Sequence, residues 1–480
     1  MCQVPHKPNN RRDVAAGLDE PLHPRKSGRD SSSEGDFFHL FERGVRAGVS
    51  KKAFLRSVDE MRPLVYELLC DHYRDPYYAK LLYLKMTNFL ISQYHLVSQH
   101  LYLVSKPVTL MVDPSNACQL RCPGCVHSSN KDYSRDFLWP SAIMKAPVYR
   151  GLLQEHGPFA LSTVLYNYGE PLLNPDIADF VLAANSHAMS SFFSSNVSMD
   201  FDVERFVQAG PDHIILSIDG ITQDSYSKFR KRGDLSLALA NVRRLVEAKR
   251  NHGFTRPILA WRFFTFEHNL HEVDRAIDLA RELGVDYLLV STPSDVSCDD
   301  PTVKVATSER EGVYRFVETH ATRRSPKRIL ERLAYHHEVE QLFAEDWSSR
   351  SGGEDHDEVK KGSGTCIWLY HSMSVDAAGR VMPCCIVPRT NQHLVFGDLS
   401  EKQSHPFNSA SYVRARLSFT DRQAFEESSA AGGQEPFCSI CPQPPPLSYG
   451  LPNALEDLFD LDFRDAVFSP ANKMLWNLFR

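Results

Sequence analysis

The sequence predicts an α/β fold, arranged as an open, partial (β/α)6 barrel. We expect a helical extension before the barrel and a small cysteine-bearing domain after it. Between Pro107 and Thr292, strand-like runs alternate six times with helical patterns. Such alternation is typical of a parallel sheet with right-handed crossovers. Six units fall short of the eight that close a full barrel. Five of the eleven cysteines lie beyond residue 365, which predicts a cysteine-bearing domain after the barrel.

Composition divides the chain into six segments. Residues 1–36 are rich in Pro, Ser, Asn, Arg and Gly and are expected to form a disordered tail. Residues 37–105 are expected to be a helical extension, because Asp75 and Pro76 suit a helix start and a stripe at helical spacing follows: Leu82, Met86, Phe89, Leu90, Gln93, Leu96 and Val97. This stripe predicts packing on the domain behind it, with a groove for a lipid or partner helix as the alternative. The other segments are the barrel (106–292), a connector (293–364), the cysteine domain (365–446) and a C-terminal tail (447–480).

The strand candidates of the barrel are short runs separated by helix signals. Asn174 and Pro175 open a helix over Ile177–Ala184, and Gly284 ends a helix that starts at Asn269. In such folds the chemistry gathers where strands end and loops begin. The six strand candidates are Val108–Asp113, Leu161–Asn167, Ser191–Ser195, His213–Ile218, Ile258–Thr265 and Asp286–Ser291.

Charge and hydropathy exclude several classes of protein. The 54 Lys and Arg residues against 60 Asp and Glu give a net charge of −6, which argues against a nucleic-acid binder. No apolar run approaches the roughly 18 residues of a membrane span, and the first residues lack the apolar core of a signal peptide. We therefore expect a cytoplasmic protein whose cysteines serve as metal ligands or catalytic groups rather than disulfides.

Three cysteines directly follow the first strand, at Cys118, Cys122 and Cys125. Three thiolates within eight residues can surround one soft metal centre. A structural zinc ion prefers four ligands, and His127 is too close in sequence to complete such a site. An unrelated metal-binding knuckle is the alternative. The spacing C-x3-C-x2-C resembles the signature of the radical S-adenosylmethionine (SAM) superfamily, which implies a [4Fe–4S] cluster that binds SAM.

Motifs after the next three strands resemble those of the same superfamily. The segment Tyr168–Leu172 is similar to its Gly-Glu motif, Ser195-Asn196 to part of its third-strand motif, and Ser217–Gly220 to its ribose-side motif. Two positions depart from the usual pattern, since Val197 replaces a glycine and Gly124 replaces a common aromatic residue. The resemblance implies that SAM is bound by Gly169, Glu170, Asn196, Ser217, Asp219 and Arg230, the last suited to a carboxylate by its planar guanidinium.

A second cysteine group follows the connector. Cys366 precedes Gly379 and the pair Cys384-Cys385, and Cys438-Ser-Ile-Cys441 comes later. This spacing resembles the SPASM or twitch module of many radical SAM enzymes. It implies one auxiliary [4Fe–4S] cluster bound by Cys366, Cys384, Cys438 and Cys441, with a zinc ribbon as the alternative. Cys385 is left over, as a buried thiol, an alternative ligand or a hydrogen donor to a substrate radical.

The resemblance implies a radical SAM oxidoreductase. Such an enzyme cleaves SAM reductively to a 5′-deoxyadenosyl radical, which abstracts a hydrogen atom from the substrate, with electrons from a flavodoxin or ferredoxin. The first expectation for the reaction is oxidation or epimerisation of a small polar molecule, sugar- or cyclitol-like. A peptide-modifying maturase is the second, weakened because residues 37–105 look helical rather than like a leader-binding winged helix. A non-catalytic iron–sulfur electron-transfer protein is the third.

Overall fold

The computed structural model describes most of the barrel and parts of its two flanking regions. It covers residues 99–128, 141–254, 256–293, 300–316, 366, 368–384, 395–400, 406–430 and 436–441, with residues 81, 84, 85, 88, 91, 92, 95 and 96. The predictions for the tails 1–36 and 447–480, for most of the connector, and for Cys385 lie outside these residues.

All six strands predicted for the barrel are present. The largest difference is at the second strand, which ends early because the chain turns back so that the Glu170 N–H donates to the Ala117 carbonyl, at 2.8 Å. The strands are β1 (Thr109–Val112), β2 (Ser162–Val164), β3 (Ser190–Ser195), β4 (His213–Ser217), β5 (Ile258–Phe264) and β6 (Tyr287–Ser291).

Strands β1 to β6 are parallel and lie in sequence order within a ten-stranded sheet. Strand β7 (Gly312–Arg315) adds antiparallel to β6. At the other edge, β8 (Ser372–Val375) pairs in parallel with β1, and β9 (Arg380–Met382) and β10 (Gly397–Asp398) follow antiparallel. Within the described residues the sheet ends at β10 and β7 and is open, as a partial barrel requires. The C-terminal cysteine-bearing segment is therefore built onto the sheet of the barrel.

Helices cover one face of this sheet. Side chains alternate along each strand, so Leu110 and Val112 of β1 pack into the large core beneath the helices, whereas Met111 packs on Val164 and Phe192 on the inner face. The helices are α1 (Ala146–His156), α2 (Ile177–Ser186), α3 (Val203–Ala209), α4 (Gln223–Phe229), α5 (Leu235–Asn251), α6 (Val273–Leu283), α7 (Trp368–His371), α8 (Ala410–Thr420) and α9 (Arg422–Ala430).

Local sequence signals account for several helix ends. The side chains of Asp202, Thr222 and Asp234 accept N–H bonds at the starts of α3, α4 and α5, as expected of capping residues. Gly284 ends α6 with φ of 78°, a left-handed conformation that favours glycine. The stop predicted at this glycine is confirmed.

The described residues between 81 and 96 are helical and are fastened to the barrel by buried polar groups. The Lys85 ammonium is fully buried and donates to the carbonyls of Gly157, at 2.7 Å, and Ala160. Burial lowers the pKa of Lys85 well below its usual value. Ser92 donates to the Tyr370 carbonyl at 2.9 Å, so this helix also contacts the C-terminal region. Most of the predicted apolar stripe lies outside the described residues.

Among the described residues, no helix combines the length and apolar character that crossing a bilayer demands.

Candidate active site

The first cysteine loop lies at the carboxyl end of β1. The side chains of Cys118, Cys122 and Cys125 pack with Leu120, Phe229, Phe266 and Val303 in one apolar cluster, and none forms a disulfide. The Arg121 side chain donates to the Cys118 carbonyl at 2.7 Å and the Leu120 carbonyl at 2.6 Å, which fixes the path of the loop. Gly124 has φ of 79°, so a left-handed turn explains the glycine at this position.

Burial keeps these thiols protonated. It raises the pKa of Cys118 to about 12, and the Glu170 carboxylate adds to the rise. It also raises the pKa of Cys122 to about 11, although the Arg230 guanidinium opposes the change. Cys125 shifts in the same direction, again mainly through burial. The loop therefore holds three neighbouring thiols in a water-poor setting, where only a strong cation would stabilise their thiolate forms.

Glu170 joins the loops that follow β2 and β3. Its side chain is buried, and it accepts four hydrogen bonds: from Leu172 N–H at 3.1 Å, Ser195 Oγ at 2.7 Å, Asn196 N–H at 2.9 Å and Asn196 Nδ2 at 2.6 Å. Because the protein already donates four hydrogen bonds to this carboxylate, few acceptor positions remain for a ligand. A Cβ on Gly169 would lie 1.7 Å from the Ser115 carbonyl oxygen, so only glycine fits beside the cysteine loop.

Asn196 connects this network to the first cysteine. Its Nδ2 lies 3.9 Å from Cys118 Sγ, and its Oδ1 accepts from Gln119 Nε2 at 2.8 Å. Val197, which follows, is buried and has φ of 46°. The backbone thus keeps the left-handed conformation that a glycine would adopt, at a cost in strain for a β-branched residue.

Asp219 and Arg230 form a buried ion pair at the end of β4. Arg230 Nε lies 2.5 Å from Asp219 Oδ2, and Asp219 Oδ1 accepts from the Phe264 N–H at 2.7 Å. Arg230 Nη1 lies 3.9 Å from Cys122 Sγ. The guanidinium therefore faces the cysteine loop, with one edge held by Asp219. Ser217, the remaining residue of the predicted set, faces the inside of the barrel and contacts Arg262.

The second cysteine group gathers around α7 and the β8–β9 hairpin. Cys366, Cys384, Cys438 and Cys441 are partly buried and form no disulfide. Burial raises the pKa of Cys366 to about 12, and the charge of Cys384 adds to this rise. Burial also raises the pKa of Cys438 well above its usual value, and the charges of the other three cysteines add to that rise. These mutual electrostatic effects indicate that the four thiols lie close together. Gly379, with φ of 91°, forms the hairpin turn.

Two protein-family models match this chain. A model of the radical SAM superfamily matches residues 112–294, and a model of the SPASM iron–sulfur cluster-binding domain matches residues 366–442. The chain contains a radical SAM domain followed by a SPASM domain. The predicted domain limits, 106–292 and 365–446, lie close to these matches but stay predictions.

One curated relative and several solved structures resemble this radical SAM protein. The PqqA peptide cyclase of Gluconobacter oxydans (strain 621H) is 26% identical over 187 residues, which are 38% of this chain and 48% of that protein. The match thus spans about half the length of the relative.

Among solved structures, Streptococcus suis SuiB bound to S-adenosylmethionine aligns with a TM-score of 0.40 and 14% identity over 66% of both chains. The structure titled native anSMEcpe with bound AdoMet aligns with a TM-score of 0.39 and 14% identity, over 77% of this chain and 100% of that one. Identities this low limit the likeness to the general fold.

The two domains bind SAM and iron–sulfur clusters, and the residues present fit them. Three clustered thiols beside Arg230, and four more around α7, are donor sets of the soft kind that iron–sulfur clusters use. Within the described residues, no group of three or more His, Cys, Asp or Glu side chains is arranged to hold a single metal ion.

Sequence reasoning missed two residues that hold the radical SAM site together. Asp113 ends β1 and accepts from the N–H groups of Tyr168, at 3.3 Å, and Gly169, at 3.4 Å. Burial raises the pKa of Asp113 to about 7. Asn269 Nδ2 donates to the carbonyls of Asp219, at 3.1 Å, and Phe264, at 2.8 Å. An acidic residue ending an apolar strand was the available signal for Asp113, whereas Asn269 resembled an ordinary helix start.

Proposed function

We propose that this radical SAM enzyme modifies a peptide. The observation that carries the proposal is the match of 187 residues of this chain to the PqqA peptide cyclase, combined with a site that holds the residue types SAM chemistry needs. The first expectation, a small sugar- or cyclitol-like substrate, is less well supported than its alternative, the peptide-modifying maturase. The oxidoreductase class and a flavodoxin or ferredoxin as electron donor stay predictions.

Each polar residue of the site has a distinct task in this proposal. Cys118, Cys122 and Cys125 would hold the [4Fe–4S] cluster to which SAM binds. Such a cluster, when bound with SAM, supplies reductive cleavage of the sulfonium and hydrogen abstraction from an unreactive C–H bond. Glu170 fixes Asn196 beside Cys118, and Asp219 aims Arg230 at the same loop. The protein thus contributes orientation and exclusion of water.

The second cysteine group would hold an auxiliary [4Fe–4S] cluster next to the barrel interior. Trp368, two residues after Cys366, packs against Met111, Val164 and Phe192 on the inner face of the sheet. A substrate inside the barrel would therefore lie one aromatic side chain away from the ligands of this cluster. That proximity supports a role in accepting an electron from the substrate and hence a net oxidation or cross-link.

Fractionated cell extract can test the class of substrate. The reconstituted enzyme receives SAM and dithionite under anaerobic conditions, together with either the peptide fraction or the small-molecule fraction, and 5′-deoxyadenosine is measured by chromatography. We expect the peptide fraction to stimulate its formation and peptidase digestion to remove that stimulation. The variant with Cys118, Cys122 and Cys125 all changed to Ala is the control without SAM cleavage. Stimulation by the small-molecule fraction alone would contradict the peptide proposal.

A further inference from the structure

Arg262, on the inner face of the barrel, has no role in the site described above. It lies on β5 between Trp261 and Phe263, which are buried in the core beneath the helices. Because neighbouring side chains of a strand point to opposite faces, Arg262 points into the barrel. Its guanidinium carbon lies 4.7 Å from the centre of the Phe264 ring. This stacking orients the planar guanidinium before any ligand arrives.

The guanidinium of Arg262 has few partners for its charge. Its Nη2 donates to Ser217 Oγ at 3.1 Å, and Ser217 Oγ in turn lies 3.3 Å from Ser194 Oγ. Its Nε is buried and has no hydrogen-bond partner. Within the part of the chain that the structure describes, no carboxylate forms an ion pair with it. A charged group placed away from water without a counter-ion is unfavourable, so this position favours an incoming anion.

The neighbouring Arg230 differs from Arg262 because it has a counter-ion. Arg230 has its counter-ion in Asp219, at 2.5 Å. Burial lowers the pKa of Arg262, and the charge of Arg230 lowers it further, while Tyr166 and Asp219 oppose the change more weakly. Of these two guanidinium groups, only Arg230 has a carboxylate within ion-pair distance among the described residues. The inside of the barrel is left with a positive charge that the described residues do not neutralise.

The surroundings indicate the kind of anion. Arg262 offers one planar guanidinium beside the Ser217 hydroxyl, and a carboxylate can accept from such a guanidinium at two points. Tyr166, which affects Arg262 electrostatically, also packs on the apolar patch of Met111, Val164 and Phe192. A carboxylate attached to an apolar stem would meet both surfaces at once. A phosphate, with about two charges at neutral pH, would be matched by only one cation.

We propose that Arg262 binds a carboxylate of the substrate inside the barrel. Resting on the peptide function proposed above, this assigns the peptide an acidic residue that enters the barrel beside Ser217. The SAM carboxylate is the other possible source of the same chemistry. Arg230, which faces the cysteine loop, stands closer to the expected SAM position, so Arg262 is left for the substrate.

The experiment compares wild-type protein with Arg262→Gln and Arg262→Lys, all reconstituted anaerobically. Two probes, acetyl-Gly-Glu-Gly-amide and acetyl-Gly-Gln-Gly-amide, are titrated in the presence of SAM and followed by saturation-transfer NMR. Glucuronate serves as a carboxylate that is not a peptide, and SAM affinity is measured by calorimetry. Arg281→Gln, at an exposed position of α6, is the matched control for loss of an arginine. Iron content and thermal unfolding of each variant report whether it has folded.

We expect the wild type to bind the Glu peptide at least about tenfold more tightly than the Gln peptide, since a hydrogen bond between two charged groups is stronger than one to a neutral amide. Arg262→Gln should abolish this preference, Arg262→Lys should retain part of it, and SAM affinity should change less than about twofold. Binding of glucuronate but of neither peptide, again dependent on Arg262, would support the carboxylate site and contradict the peptide function.

Three results would overturn the inference. The first is equal binding of both peptides in wild type and Arg262→Gln, which would leave the peptide function standing. The second is a loss of SAM affinity above about tenfold in Arg262→Gln with the Glu preference intact, which would assign Arg262 to SAM. The third is a wild type that binds none of the three probes. If Arg262→Gln does not fold, the folded Arg262→Lys variant decides among the same outcomes.

Discussion

Changing Glu170 to Gln tests whether this residue acts through the protein or directly on SAM. The carboxylate accepts from Leu172 and Ser195 on Oε1, and from the N–H and Nδ2 of Asn196 on Oε2. A glutamine amide can keep both bonds from Asn196 on its oxygen and turn its NH2 group toward Leu172 and Ser195. The Ser195 hydroxyl can then rotate to accept, but the Leu172 N–H lies buried without an acceptor, which costs about 1–3 kcal/mol.

Glu170→Gln should therefore lose about 1–3 kcal/mol of stability. In a cooperative unit of roughly 150–250 residues, each kcal/mol lowers the melting temperature by about 2–4 °C. Thermal unfolding followed by circular dichroism should show a fall of several degrees in the protein without clusters. SAM affinity of the reconstituted variant should change little, because the amide oxygen still holds Asn196 beside Cys118.

The exposed Glu247 of α5 provides the control, and Glu247→Gln should leave both stability and SAM affinity unchanged. Our reasoning would be refuted by a Glu170→Gln variant that unfolds at the wild-type temperature and yet binds SAM much more weakly. That pair of results would mean that the carboxylate contacts SAM itself.

Three further predictions address the charges and the clusters. Asp219→Asn removes the counter-ion of Arg230, so SAM should bind about tenfold more weakly in calorimetry; unchanged affinity would contradict the assignment. Because burial raises the pKa of Asp113 to about 7, above its unfolded value of about 3.9, the folded state binds an extra proton between these values. Wild type should thus lose stability relative to Asp113→Asn as pH rises from about 4 to about 7, and lose no more above that range because Asp113 is then deprotonated in both states. Melting curves at pH 5 and pH 8 would test this, and the opposite trend would exclude a raised pKa. Finally, reconstituted protein should contain about eight irons, and about four after Cys118, Cys122 and Cys125 are changed to Ala; four irons plus one zinc in the intact protein would favour the zinc ribbon.

The strands and the cysteine groups could be predicted because they depend on local patterns. The residues of β1 to β6 alternate with helices at a regular interval, and Gly284 signals its helix end without reference to the rest of the chain. The motif residues Glu170, Asn196 and Asp219 could be picked out because they follow buried strands. Most of the contacts of these residues could not be foreseen, since they cross from one loop to another.

Buried polar residues show where sequence reasoning reaches its limit. Lys85 and Arg262 look like surface residues in the sequence, and the patterns around them are unremarkable. Lys85 is buried only because two carbonyls of the α1–β2 connection meet its ammonium. Arg262 faces inward because it alternates along β5 with Trp261 and Phe263, which pack beneath the helices. The parallel pairing of β8 with β1 could not be predicted either, because the two strands are remote in sequence.

The pairing of β8 with β1 also dictates the order in which the protein can be completed. Thr109 pairs with Ser372, so during synthesis one edge of β1 stays bare until most of the chain has left the ribosome. Unpaired strand edges promote aggregation, and contacts between distant segments slow folding. A fragment cut before β8 would keep its first cysteine loop on an exposed edge strand. We therefore expect truncated versions to aggregate more readily than the full chain. Expression should use a chain that carries both cysteine groups.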